Sequence, residues 1–262
     1  MTVELKELPF ETDAGFGSRA RIGLIVLEND QTVEAELATL WPEGVAAFAT
    51  RIPMEDRVTA ESLLAMENRI PEAAGLLPEI MGFDVIGYGC TSAATLIGEE
   101  RVSAALPRAH PKVANTNPIS AVLAAMEALG ARRIAVITPY NAQVTTGIVS
   151  LLEERGLDVA AAGSFLEESD ATVARITETA VADAVREMVA NSTGDLDAEA
   201  LDAVFVSCTS LRAYGVAADL ESELGVAVVS SNLAFGWHLL RLAGINDQLE
   251  GLGRLFSLGL ER

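Results

Sequence analysis

Short runs of β-branched and aliphatic residues alternate with longer Ala/Leu/Glu stretches of helical period along almost the whole chain. The apolar runs Ile22–Leu27, Val45–Arg51, Val85–Tyr88, Ile134–Thr138, Val159–Phe165, Ala203–Val206 and Val226–Ser230 predict strands. They are near-continuous rather than alternating, as in parallel strands covered on both faces. Between them, Glu34–Leu40, Ala60–Ile70, Ser120–Leu129, Val144–Glu154, Val173–Ala190 and Tyr214–Leu224 predict helices. Asn117-Pro118 and Gly130 supply start and stop signals for the third of these. The pattern defines an α/β protein with mostly parallel strands.

An internal repeat runs through it. Arg21-Ile22-Gly23-Leu24-Ile25-Val26 matches Arg133-Ile134-Ala135-Val136-Ile137-Thr138, and Gly89-Cys90-Thr91-Ser92 matches Ser207-Cys208-Thr209-Ser210. Two matched segments in the same order, at nearly equal spacing, imply a duplicated α/β unit. The expected architecture is therefore two similar Rossmann-like subdomains with parallel sheets and a pseudo-twofold internal repeat, facing each other across a cleft. Residues 1–116 would form the first, 117–232 the second, and 233–262 a C-terminal helix and tail that packs back on the first.

Half of the 262 residues are apolar, enough for a well-filled core, which excludes disorder as the main state. The 38 acidic residues outnumber the 18 basic ones, for a formal charge of −20. A field of that sign repels nucleic acid and anionic lipid, so neither is expected as a partner. Charges or Pro/Gly breaks interrupt every apolar stretch before it reaches bilayer-spanning length. The opening Met1-Thr2-Val3-Glu4-Leu5-Lys6 lacks the order of a signal peptide. Two cysteines make no disulfide scaffold. The expected location is the cytoplasm.

Those two cysteines are the chemical centre of the sequence. Each follows a strand directly and precedes a helix, at the carboxyl edge where parallel sheets bind ligands. Backbone N–H groups and the positive helix end at such a turn are expected to lower a thiol pKa. The Thr-Ser pairs that follow add hydroxyl donors for a carboxylate. A single cysteine is more often an inert buried side chain; two in matched Cys-Thr-Ser contexts reverse that expectation. His110 and His238 have no ligand-like spacing, so no metal site is predicted. His238 reads as a helix packing position and His110 as a solvated loop residue, while Arg51 and Arg212 read as surface or structural charges near the cleft. No Walker A loop and no GxGxxG after a strand are present, so no nucleotide cofactor is indicated.

Gly87-Tyr88-Gly89-Cys90-Thr91-Ser92, Ile137-Thr138-Pro139-Tyr140 and Cys208-Thr209-Ser210-Leu211 resemble the aspartate/glutamate racemase superfamily. The resemblance spans about Arg21 to Asn246 and is strongest to the branch of maleate cis-trans isomerases, arylmalonate decarboxylases and ectoine-utilisation protein A. It implies no cofactor, an interdomain site and a homodimer or higher homo-oligomer. Retention of both cysteines is similar to the racemases and isomerases rather than the decarboxylases. Tyr140 matches the family's substrate-contacting tyrosine. Asp30 and Asp170 fall where maleate isomerases carry asparagines; an amide donates to a carboxylate, whereas an ionised Asp only accepts.

These readings converge on a cofactor-independent isomerase or racemase acting on a small, amino-acid-derived carboxylate. Cys90 and Cys208 would be its opposed acid/base or nucleophilic thiols. Thr91, Ser92, Tyr140, Thr209 and Ser210 would orient the carboxylate, and Asp30 and Asp170 would meet its other polar end. Asp30 is also placed to cap the helix that follows it. The alternatives are maleate cis-trans isomerisation to fumarate and a non-catalytic ligand-binding relative.

Overall fold

A computed structural model describes residue 3 and residues 5–55, 57–192 and 200–260; parts of the three expected units, including half of the opening hexapeptide, therefore lie outside the described residues. The strands form two four-stranded parallel sheets. The first contains β1 (Ala20–Leu27), β2 (Val45–Ile52), β3 (Val85–Gly89) and β4 (Ala114–Thr116) in the order β2-β1-β3-β4. The second contains β5 (Arg133–Thr138), β6 (Asp158–Ser164), β7 (Ala203–Val206) and β8 (Ala227–Ser230) in the order β6-β5-β7-β8. Each sheet repeats the other's order, so the duplication read from the paired motifs is a duplication of topology. In both, the connection reverses direction beside the first strand, which creates a switch point at the carboxyl ends of β1/β3 and of β5/β7.

The central strands β1, β3, β5 and β7 are buried almost throughout, as their continuous apolar runs demand. The helices are α1 (Val33–Leu37), α2 (Ala60–Ala65), α3 (Ile70–Gly75), α4 (Thr91–Ile97), α5 (Glu99–Ala105), α6 (Pro118–Leu129), α7 (Ala142–Glu154), α8 (Asp170–Val173), α9 (Glu178–Ser192), α10 (Tyr214–Leu224) and α11 (Ser231–Leu242). Asn117 caps α6 as its sequence signals require: its Oδ1 accepts from the N–H groups of Ile119 and Ser120 at 3.1 and 3.0 Å, and Gly130 closes the helix at φ +66°.

Several elements differ from expectation for local reasons. The stretch Ala60–Ile70 is not one helix: α2 passes into a 3₁₀ turn before α3, which begins with Pro71 in its first turn. The stretch Val173–Ala190 also divides, because α8 ends before Glu178 opens α9. The strand β4 is three residues long and carries Asn115 and Thr116, so it has no apolar run to detect. The helix α4 is rich in Thr, Ser and Ala, and it hides directly behind the Cys90 motif.

The last helix ties the two sheets together. α11 follows β8 of the second sheet, yet packs on α6 and against β3 and β4 of the first. Phe235 on α11 presses on β3 at Gly87, where an added Cβ would lie 2.7 Å from its Cε2. Arg241 then gathers the C-terminal segment by donating to the carbonyls of Ile245, Asp247, Phe256 and Leu258. His110 is buried rather than solvated: it sits edge-on to Phe83, and its Nε2 lies 3.0 Å from the Ala74 carbonyl. His238 does pack within α11, with Nδ1 at 2.8 Å from Thr116 Oγ1 and a pKa lowered to about 4 by burial. Among the described residues, no helix is long and apolar enough to cross a membrane.

Gly87→Ala is expected to destabilise the protein by about 1–3 kcal/mol, because the Phe235 ring leaves no room for a methyl group. Gly75→Ala, on α3 with nothing within 4 Å, is expected to be neutral or stabilising by a few tenths of a kcal/mol. Paired thermal melts check both; equal losses would contradict this account of the packing.

Candidate active site

Both cysteine loops leave the carboxyl ends of third strands and turn inward. Cys90 has extended backbone (φ −146°) and caps α4, its Sγ accepting from the Ala93 N–H at 3.4 Å and lying 3.7 Å from Ser92 Oγ. Cys208 is held differently. Its φ is +114°, a region that residues with a Cβ rarely adopt, and its Sγ accepts from the Ser210 N–H at 3.4 Å. The equivalence of the two motifs is thus one of position, and their local geometries diverge.

The two loops meet through the start of α11. Ser231 Oγ accepts from Thr91 Oγ1 at 2.9 Å and from the Cys208 N–H at 3.0 Å, which joins the residue after one cysteine to the other cysteine. Thr209 Oγ1 reaches the Gly89 carbonyl at 3.5 Å, a second link between the loops. Asn232 donates to the Thr209 carbonyl at 2.8 Å. Tyr140, at the end of β5, places its buried hydroxyl against Cys208 and Ser92, close enough to Cys90 for the two to interact electrostatically.

Asp30 and Asp170 close the site on its other side. Asp30 follows β1 and does what a cap does: Oδ1 accepts from the N–H groups of Thr32 and Val33 at 2.8 and 2.9 Å. Its Oδ2 is buried and has no hydrogen-bond partner, so one oxygen serves α1 and the other is free. Asp170, at the start of α8, lies beside the Ser210 hydroxyl and also has a buried, unpartnered Oδ2. These carboxyl groups are only 3% and 5% exposed, yet both border an open pocket of about 620 Å³ with Glu28, Gln31, Ser169 and Arg51. Arg51 offers that pocket no free charge. Its guanidinium pairs with Glu34 and donates to the carbonyls of Leu27, Glu28 and Asp30. Arg212 is likewise occupied, by the Arg175 and Ile176 carbonyls. Among the described residues, no group of three or more His, Cys, Asp or Glu side chains is arranged to hold a metal ion.

The electrostatics reverse one expectation. Helix and backbone N–H groups do favour the thiolates, but burial outweighs them. Burial pushes Cys90 up to about 11 despite the Ala93 N–H and the Ser92 hydroxyl, with Asp170 and Asp30 adding to the rise. Cys208 is raised further, by burial and then by Asp170, against the Tyr140 hydroxyl and the Ser210 N–H. Burial and the charge of Asp30 lift Asp170 to about 6, although the Ser210 hydroxyl opposes the shift. Glu36 on α1 rises to about 7 through burial, partly offset by hydrogen bonds from Asn232 and the Tyr214 N–H. Burial thus holds both thiols toward the protonated form.

The sequence reading brought Cys90, Cys208, Tyr140, Thr91, Ser92, Thr209, Ser210, Asp30 and Asp170 forward, and the structure places all of them around the meeting point of the two sheets. It did not find Tyr88, whose buried hydroxyl lies by Cys90, or Thr32, Glu36, Ser231 and Asn232. Ser230-Ser231-Asn232 did carry a signal: a strand run ending in capping residues, at the fourth strand end equivalent to Asn117.

Two equivalent parallel sheets that each present a cysteine loop to a shared, buried site define the Asp/Glu racemase-like superfamily. Within it, a family model described as arylmalonate decarboxylase matches residues 22–256, and the chain belongs to that family. A maleate isomerase of Nocardia farcinica is 28% identical over 251 residues, covering 90% of this chain and 94% of the relative. An arylmalonate decarboxylase of Bordetella bronchiseptica is 29% identical over 248 residues, with 92% and 98% covered. Among solved structures, a cysteine-to-serine mutant of the N. farcinica maleate cis-trans isomerase with a covalently bound succinylcysteine intermediate superposes with a TM-score of 0.81, at 25% identity and 90% and 98% coverage.

The raised acid pKa has a stability consequence of definite sign. Folding favours protonated Asp170, so its contribution is full below the ordinary value near 3.8 and is lost as pH rises through 6. Asp170→Asn is therefore expected to stabilise the protein at pH 8, by on the order of 2–3 kcal/mol, and to have little effect at pH 4. Denaturation at the two pH values tests this; a pH-independent difference would contradict it. The backbone at Cys208 gives a second expectation. Cys208→Gly should be more stable than Cys208→Ala by about 1 kcal/mol, since only glycine adopts φ +114° without strain.

Proposed function

We propose that the chain is a cofactor-independent isomerase in which Cys90 and Cys208 exchange protons with opposite faces of a small carboxylate. Its substrate carries a basic nitrogen, as an amino-acid-derived compound of the ectoine-utilisation type does. The observation that carries this reading is the pair of buried carboxylates, Asp30 and Asp170, each with an unpartnered oxygen, opposite two buried thiols in hydroxyl-lined loops.

In the forward direction one thiolate removes the proton beside the substrate carboxylate and becomes a thiol. The electron pair of the broken C–H bond spreads into the carboxylate as an enediolate. The opposite thiol then delivers its proton to the other face and is left as the thiolate. Either cysteine can start the cycle as the base, with the other as the acid, since burial raises both. The Ser92 and Tyr140 hydroxyls are the donors nearest the developing negative charge, since the Thr91 hydroxyl is committed to Ser231 Oγ and the Ala93 and Ser210 N–H groups to the sulfurs. An ammonium or amide N–H at the far end would satisfy both free aspartate oxygens, which an anion there would not.

A second reading, maleate cis-trans isomerisation, is favoured by one property of Asp170. With its pKa near 6, the carboxyl group is protonated in mild acid and then donates as an amide would. Thiolate addition to the double bond, rotation about the resulting single bond and expulsion of the thiolate would give fumarate.

Proton NMR in D2O with aspartate, glutamate, diaminobutyrate, its N-acetyl forms, hydantoins and maleate separates the readings. The expected result is loss of an α-proton signal from a nitrogen-bearing substrate, slowed about 10²–10⁴-fold by Cys90→Ala or Cys208→Ala. Fumarate formed from maleate, faster at pH 5.5 than at pH 8, together with no α-proton exchange, would replace the first reading by the second.

A further inference from the structure

The peptide joining Thr209 to Ser210 is held at both ends. Its N–H points at Cys208 Sγ, 3.4 Å away, and its carbonyl accepts from Asn232 Nδ2 at 2.8 Å. In a trans peptide these two groups point in opposite directions, so holding the carbonyl aims the N–H. Asn232 is itself fully buried, and its Nδ2 also donates to Glu36 Oε2 at 2.6 Å. Both neighbours of its amide nitrogen are acceptors, which fixes the amide's orientation; its own Oδ1 has no partner. The side chain is therefore anchored through its donor end alone. Glu36 comes from α1 beside the first sheet, whereas the peptide lies in the second cysteine loop. Thr32, also at the start of α1, donates to the Ser210 carbonyl at 2.9 Å and fixes the next peptide along.

We propose that Glu36, acting through Asn232, is the positioning residue that determines which end of the Thr209–Ser210 peptide faces Cys208. With Asn232 anchored, the N–H faces the sulfur and supports its thiolate. Without the anchor, the peptide is free to rotate and present its carbonyl, whose negative end opposes ionisation. The strained backbone at Cys208 gives this anchor weight, because the conformational preference of that residue does not favour the observed loop. Glu36 thus lets the first half of the chain set the reactivity of the thiol in the second.

The inference rests on the reading of Cys208 as a working thiol, but its test needs no substrate. The folded full-length protein is treated with iodoacetamide at pH 8.5, and the alkylation rates of Cys208 and Cys90 are followed by mass spectrometry. The Cys90 rate in the same molecules reports any general loosening. Asn232→Ala is expected to lower the Cys208-to-Cys90 rate ratio about tenfold and Glu36→Ala at least threefold, while Glu36→Gln, which keeps an acceptor toward Asn232, stays within about twofold of the parent. A ratio that holds or rises in the alanine variants overturns the proposal, as does a loss in Glu36→Gln equal to that in Glu36→Ala. If Asn232→Ala does not fold, the Glu36 pair decides the question alone. A result of either kind stands apart from the isomerase assays: inactivity on every substrate with the expected ratios would remove the function and leave the peptide anchor.

Discussion

The two halves of the site converge on the hydroxyl of Ser231. Ser231 Oγ receives one hydrogen bond from the residue after Cys90 and another from the backbone of Cys208, so the loops that bear the thiols are referenced to one atom. That atom stands at the first residue of α11, whose remaining length is packed on α6, β3 and β4. Precision at the site thus derives from the packing of a helix outside it. The fully buried Phe235, Trp237, Leu239 and Leu240 supply the apolar area that keeps α11 in place.

The charge distribution follows a similar economy. The cations nearest the candidate site, Arg51 and Arg212, are turned to backbone carbonyls or to Glu34. Asp30, Asp170 and Glu36 therefore lie near one another without a neutralising partner, and the cost appears as raised acid and thiol pKa values. Residues kept in so unfavourable a state are a recognised mark of a functional site.

Much of this was legible in the chain itself. Parallel strands buried on both faces announce themselves as continuous apolar runs, and the paired Arg-Ile and Cys-Thr-Ser segments revealed the repeated topology. The location of the cysteines at strand ends was legible for the same reason. What escaped notice had weak local signals. β4 is too short and polar to stand out, α4 begins inside the cysteine motif, and Glu36, Ser231 and Asn232 matter through contacts between residues 23 to 196 positions apart in sequence. The thiol pKa was misjudged because a motif displays the N–H groups of its own turn but not the burial and the distant aspartates that outweigh them. Asp30 was read as either a cap or a ligand-facing group; its Oδ1 caps α1, and its Oδ2 is buried without a partner.

The path of α11 bears on how such a chain could have arisen. A half-length ancestor with one sheet and one terminal helix, built on this plan, would leave its own third and fourth strands uncovered. Two copies that lent each other the last helix would cover both sheets and bring two identical cysteine loops together. Fusion would then make the exchange permanent, and only afterwards would the loops be free to differ, one relaxed at φ −146° and the other strained at +114°. The asymmetry between the two cysteine loops would thus be a product of covalent linkage, beyond the reach of any symmetric pair.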